Sequence, residues 1–390
     1  MKKFLTVSTI ALSLLTTTQA NAAFVNTQGD SFEQGQYQTE APEPYGLNYS
    51  QNSLFDSTNS NKINWHYELK YDAPEGRSGK AFRGKPVIDK DGTIYMNNTN
   101  KKVYAFNPDG SIKWVKDGFE DINNTTGLVI GKDGTLYNPS MKLYAMNPDD
   151  GSIKWTAKTD GLSSFYQTII DKEGTLFALN SNPGDTYLYA FNSDGTLHHK
   201  GTTNLSTYGY QSPYDKGMFL GKNGLIYIMM DKTGELHNLV ALNKQGDLVW
   251  KKELKYSKTG FSIDKDGNII VTAGLTSGKQ DIYKLNGDTG DTLLQKTFIS
   301  STSSRIGSPV SDYTNGDIYV NADSKLFKFD KDLNILWNKP YDLTTEVMID
   351  KSRNVVFSAQ KGIYKIDPNG EIIWKLPSAD LSYSGALSLG

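Results

Sequence analysis

Apolar residues in this chain fall into short runs, and the runs recur in register. The clearest series reads Val103-Tyr104-Ala105-Phe106-Asn107, Leu143-Tyr144-Ala145-Met146-Asn147, Leu188-Tyr189-Ala190-Phe191-Asn192 and Leu239-Val240-Ala241-Leu242-Asn243. It continues through Ile282-Tyr283-Lys284-Leu285-Asn286, Leu326-Phe327-Lys328-Phe329-Asp330 and Ile363-Tyr364-Lys365-Ile366-Asp367. Their β-branched and aromatic content predicts strands, and no helix-cap chemistry flanks them. An earlier run in each unit follows a glycine turn, as in Thr93-Ile94-Tyr95, Thr135-Leu136-Tyr137 and Leu225-Ile226-Tyr227. The Asn or Asp closing the later run opens a turn through Pro-Asp-Gly or a variant of it. That turn delivers a last run, which carries a tryptophan. Each full unit thus predicts four strands.

All six tryptophans occupy this last slot. Gly110-Ser111-Ile112-Lys113-Trp114, Gly151-Ser152-Ile153-Lys154-Trp155, Gly246-Asp247-Leu248-Val249-Trp250 and Gly370-Glu371-Ile372-Ile373-Trp374 are full copies. Trp65 and Trp337 end weaker ones, and His199 and Leu294 stand where two copies lack the indole. The eight end positions are 37 to 51 residues apart. A period near forty without helical patterning is the signature of a β-propeller. A blade cannot bury both faces alone, so a large aromatic near its outer edge is expected to pack on the next blade and donate its N–H to a carbonyl there. His199 and Leu294 are expected to weaken blades three and five.

Seven units are complete. Residues 61–67 supply a fourth strand without partners, and Ser382-Tyr383-Ser384-Gly385-Ala386-Leu387-Ser388-Leu389 reads as a lone first strand. The expectation is an all-β, eight-bladed propeller of four-stranded antiparallel blades over residues 46–390, the two ends sharing one blade. The alternative is seven complete blades plus loose terminal strands.

The phrase Asp89-Lys90-Asp91-Gly92-Thr93-Ile94-Tyr95, followed by Val103–Asn107 and Gly110–Trp114, resembles the PQQ-like (quinoprotein-type) propeller repeat. The resemblance covers residues 46–390 and implies eight blades. It embraces quinoprotein dehydrogenases, outer-membrane assembly lipoproteins and secreted, non-catalytic proteins of Gram-positive bacteria. The enzymes sandwich the quinone between a Trp floor and a disulfide of adjacent cysteines, beside a Ca²⁺ site. This chain has no cysteine, and each Trp has a docking slot, so neither PQQ nor Ca²⁺ is expected as a cofactor. The missing cysteine also sets it apart from the lipoproteins. The secreted, soluble group fits best.

Charge and leader refine this. The formal net charge of −2 predicts no general attraction to nucleic acid or anionic lipid. Residues 1–22 read as an export signal: Lys2-Lys3, an apolar core from Phe4 to Leu15, and Ala20-Asn21-Ala22 at the cleavage site. The core is too short to span a bilayer, so no membrane insertion is expected. Residues 23–45 read as a flexible polar lead. The expected location is extracellular, with the periplasm as the alternative, and the expected state is a monomer.

Catalytic chemistry finds little footing. No Cys nucleophile or G-x-S-x-G elbow occurs, though a carboxylate pair for a hydrolase or lyase could form only in three dimensions. Asp89-Lys90-Asp91-Gly92 and Asp264-Lys265-Asp266-Gly267 resemble calcium loops faintly, but read as Asp-Gly turns. His198 and His199 are adjacent on a strand and so are expected to point to opposite faces, unable to chelate one ion. The protein is therefore expected to be a non-enzymatic scaffold that binds a protein or cell-surface polymer through its variable loops, a carbohydrate-binding propeller being the alternative. The candidate contacts are Phe82, Arg83, Phe165, Tyr166, Tyr208, Tyr210, Tyr214 and Arg305, since Tyr and Arg combine area with directional polar groups.

Overall fold

The computed structural model describes residues 65, 67, 82–89, 91–98, 101–119, 128–131, 133–157, 164–182, 184–209, 218–231, 236–255, 260–274, 279–299, 306–341, 343, 347–359 and 361–377. Among them, 28 strands form seven four-stranded antiparallel sheets, each a meander in chain order. Blade 1 runs from Phe82–Ile88 to Ile112–Lys116, blade 2 from Val129–Ile130 to Ile153–Ala157, and blade 3 from Ser164–Ile170 to Leu197–Lys200. Blade 4 runs from Met218–Leu220 to Leu248–Lys255, and blade 5 from Phe261–Ile263 to Thr292–Ile299. Blade 6 runs from Val310–Ser311 to Ile335–Lys339, and blade 7 from Met348–Ile349 to Ile372–Pro377. First strands of neighbouring blades adjoin, so they are innermost and the Trp-bearing strands outermost.

The expectation of eight blades is corrected to seven among the described residues, in agreement with the alternative count. Of residues 61–67 only Trp65 and Tyr67 are described, and neither is in a strand. Residues 382–389, the export signal and the polar lead lie outside the described residues.

Burial follows the two-residue period of a strand, with alternate side chains facing opposite neighbours. Tyr137, Leu143 and Ala145 of blade 2 pack on Phe165, Leu176 and Ala178 of blade 3. Phe177, Leu179 and Leu188 of blade 3 meet Leu220, Ile226 and Ile228 of blade 4 in the same manner. The core is thus a series of seams between blades. On the other face of blade 1, Ile88, Ile94, Met96 and Phe106 pack on Trp65 and Tyr67.

Tryptophan seals the outer edge of a seam wherever the slot holds an indole. The Nε1–H of Trp114 donates to Pro148 O at 2.9 Å, that of Trp155 to Ser193 O at 2.9 Å, and that of Trp250 to Gly287 O at 2.8 Å. Trp337 donates to Pro368 O at 3.1 Å, and Trp65 to Pro108 O at 2.8 Å. Every acceptor is the second residue of the turn between third and fourth strands of the next blade. That turn must be glycine where the indole lies over it. A Cβ on Gly151 would come within 2.8 Å of Trp114, and one on Gly290 within 2.6 Å of Trp250. His199 is not a vacancy in this scheme: its Nε2 lies 2.7 Å from Lys244 O, the equivalent acceptor. The expected weakness of blade three is corrected to this extent, because imidazole supplies the same donor.

The outer strands are exposed sheet edges. In all seven blades the pairing of third and fourth strands slips by one residue just before the Trp position. Such a bulge blunts an edge against pairing with another chain.

Candidate binding face

Antiparallel meandering puts two sets of turns at one end of the ring, those joining first to second and third to fourth strands. We call this the lower end. The upper end carries the links between second and third strands and the crossovers between blades.

The lower end is held together by its own side chains. Asp89 Oδ1 accepts from the amides of Asp91 (2.9 Å) and Thr93 (2.8 Å), and Asp264 Oδ1 from those of Asp266 (2.9 Å) and Asn268 (2.8 Å). Where Gly131 and Gly221 replace the leading Asp, the cap moves two residues on. Asp133 then accepts from Thr135 N at 3.0 Å and Asn223 from Leu225 N at 3.1 Å. The remaining carboxylate capacity meets buried donors. Tyr95 OH donates to Asp89 Oδ2 at 2.8 Å, and burial followed by that carboxylate pushes its phenol well above the usual tyrosine range. Lys284 pairs with Asp264 at 2.8 Å, Lys328 with Asp317 at 2.8 Å, and Lys365 with Asp350 at 3.2 Å. Arg353 spans from blade 7 to Asp312 (2.7 Å) and Asp317 (3.2 Å) of blade 6.

The upper end is where the blades differ. The middle strands of blade 3, Leu176–Asn182 and Asp185–Phe191, have 7 residues each, against 4 each for Leu136–Pro139 and Leu143–Met146 of blade 2. At roughly 3.3 Å per residue, three residues make the blade 3 hairpin about 10 Å taller. Blades 4 and 5 share this extension, with Leu236–Leu242 and Lys279–Leu285 also 7 residues long. The crossover after blade 3 adds a 3₁₀ turn, Leu205–Tyr208. Asn204 pins it, accepting from Ser206 N at 3.0 Å and donating to Gly184 O at 3.1 Å. Asn238 of blade 4 donates to Tyr208 O at 2.7 Å. On the tall hairpin of blade 4, buried His237 and Asp231 share a 2.7 Å contact.

The sequence-predicted contacts fare unequally. Tyr208 is half-buried beside the seam between blades 3 and 4, with the Lys251 ammonium 5.3 Å from its ring centroid. Phe165 is corrected to a core residue. It is 1% exposed and packs edge-on to Tyr189 and Phe191, because its strand position faces blade 2 rather than the loop face. Phe82 and Arg83 open the first strand of blade 1, and Tyr166 lies in that of blade 3. Tyr210, Tyr214 and Arg305 lie outside the described residues. Asn204 and the Asp231–His237 pair escaped the sequence reading, since neither belongs to the repeat.

The histidine pair is a second correction. Ala190 pairs with His199 and Phe191 with Leu197, so His198 is the bulged residue. Alternation fails there, and the two imidazoles turn to the same side with Nδ1 atoms 3.2 Å apart.

The family model described as outer membrane protein assembly factor BamB matches residues 56–227 and 235–388. The chain belongs to this PQQ-like propeller family. An uncharacterized protein of Bacillus subtilis (strain 168), YxaL, is 34% identical over 97 residues, which is 25% of this chain. The matched stretch spans 22% of that relative's length. BamB from Moraxella catarrhalis superposes with a TM-score of 0.51 at 13% identity, covering 79% of this chain and 86% of that one. The Dos1 propeller gives 0.56 at 11% identity, covering 73% and 78%. Dihydro-heme d1 dehydrogenase NirN, solved in complex with DHE, gives 0.54 at 12% identity, covering 76% and 66%. At these identities the likeness shows the fold alone, and one such fold serves an assembly factor and an enzyme alike.

Proposed function

We propose that this chain is an exported, non-enzymatic propeller that binds a protein partner through its upper face. The observation that carries the reading is the contrast between the two ends. Indoles, carboxylates and buried lysines of the lower end and rim are consumed by contacts within the ring, whereas blade height and crossovers vary at the upper end. A fixed scaffold with variable loops is the usual setting for recognition. The family description, an assembly factor, favours protein over polymer as the partner class. Export rests on residues 1–22. A quinone-dependent activity is disfavoured, because five of the six indoles donate to carbonyls across seams and so present no free floor for a flat cofactor.

The test is capture from cell-surface extract on immobilised mature protein, run beside a glycan array. Tyr208→Ala, Tyr210→Ala and Arg305→Ala combined should abolish protein capture and leave the chain cooperatively folded. Undiminished capture by this triple variant would remove the site from the upper face. Binding confined to glycans would install the carbohydrate reading instead.

A further inference from the structure

The bulge in the outer strand of blade 3 has a chemical outcome that differs from those of the other blades. The bulged position holds Lys113 and Lys154 in blades 1 and 2, and Val249, Leu293, Leu336 and Ile373 in blades 4 to 7. Blade 3 alone puts histidine there, next to a second histidine in the docking slot. His199 is oriented by the seam: its Nε2 lies 2.7 Å from Lys244 O, and a carbonyl only accepts. The proton is therefore on Nε2, which leaves the Nδ1 lone pair bare. That Nδ1 faces His198 Nδ1 at 3.2 Å. Two imidazole nitrogens at this separation, each bonded at 2.0–2.1 Å, subtend an angle of about 100° at a shared ion. The value falls between the octahedral and tetrahedral ideals.

We propose that His198 and His199 chelate one divalent metal ion of the zinc, copper or nickel class through their Nδ1 atoms on the outer rim of blade 3. Neutral imidazole suits these metals. The Lys244 carbonyl is the outer partner that fixes the ring and tautomer of one ligand, as a metal-binding histidine ordinarily requires. The other ligand, His198, is exposed and free to adopt the Nε2–H tautomer. The neighbouring cation is drawn aside, since the Lys200 ammonium sits 3.8 Å from the centroid of the Tyr187 ring. Among the described residues no group of three or more His, Asp or Glu converges on an ion, so the remaining coordination positions go to water or to a donor from another molecule. The competing arrangement is a plain hydrogen bond between the two imidazoles.

Calorimetric titration of the mature protein with Zn²⁺ in a non-chelating buffer decides between them. One saturating ion per chain is expected, together with a melting temperature that rises at saturation. His198→Ala removes a ligand but spares the His199 contact with Lys244. It should lose both the saturable heat and the Zn²⁺-dependent rise while melting normally without metal. Absence of saturable binding to the wild-type chain, or equal binding by His198→Ala, would overturn the proposal. Should His198→Ala fold poorly, His198→Gln serves the same comparison.

Discussion

At one register position of the third strand, blades 1 to 4 carry Ala105, Ala145, Ala190 and Ala241, whereas blades 5 to 7 carry Lys284, Lys328 and Lys365. In the first group the small residue lets flanking aromatics meet across it. Ring centroids of Tyr95 and Trp114 are 5.8 Å apart, of Tyr137 and Trp155 5.7 Å, and of Tyr227 and Trp250 5.8 Å. In the second group the lysine ammonium adds a bond at that place, and blade 6 keeps an aromatic pair beside it, Tyr319 and Trp337 lying 6.0 Å apart. Lys328 donates to Pro368 O of blade 7 at 2.9 Å, the acceptor that Trp337 also uses, while Lys365 stays with Asp350 of its own blade. The two regions teach different lessons about stability. Aromatic seams gain from every square ångström of apolar surface removed from water. A buried ion pair gains little overall, because desolvation offsets its attraction, yet removing one partner is costly.

The largest effects are expected from one truncation in each half. Lys365→Ala leaves the carboxylate of Asp350, itself 3% exposed, without its ammonium. Loss of about 3–5 kcal/mol is expected in denaturant unfolding, whereas Lys365→Met combined with Asp350→Asn should recover much of it. Trp114→Ala in the aromatic half should cost a similar 3–5 kcal/mol, about the usual range for a buried tryptophan. No double variant would rescue it, because the loss is one of packing. An unchanged melting curve for Trp114→Ala would contradict the docking role.

Alkaline pH sharpens the contrast next. Burial raises the phenols of Tyr95, Tyr137 and Tyr227 well above the ordinary value, and that of Tyr319 with added repulsion from Asp312 and Asp317. Tyr283 is pushed up to about 12, first by burial and then by Asp281. A phenol whose folded-state pKa exceeds its free value of about 10 favours folding while it is neutral. That contribution is complete below about pH 10 and is lost as pH climbs toward the folded value. Hydrogen exchange above this point should loosen blades 1, 2 and 4 before blade 3, which carries Phe177 at the second-strand position. Simultaneous loosening of all blades would sink this reading.

The smallest effect concerns the indole hydrogen bond alone. Trp155→Phe removes the indole donor to Ser193 O and should cost about 1 kcal/mol. Trp337→Phe should cost less, since Lys328 still serves Pro368 O. Equal losses would show that the lysine does not substitute for the indole.

Much of this architecture was legible in the sequence. The Trp slot, the Asn-initiated turns and the strand runs recur in register, so each copy corroborates the others, and the docking geometry follows from size and polarity. The switch from Ala to Lys at one position was visible too, but only the paired Asp264, Asp317 and Asp350 in space give it meaning. The histidine pair misled because alternation along a strand assumes regular pairing, and a one-residue slip at His198 reverses the outcome. Phe165 misled for a related reason: a residue near a loop boundary was placed on the face, when strand parity turns it into a seam. Asn204 and the Asp231–His237 pair fall outside the repeat, where no second copy exists to mark a departure.

The most direct test of the central claim is a fluorescence titration of the mature protein with PQQ in the presence of Ca²⁺. Indoles engaged between blades predict emission that falls only in proportion to added quinone, without saturation. Saturable quenching at about micromolar ligand, typical of a specific site, would mean that at least one indole is available to a flat cofactor, and would contradict the account.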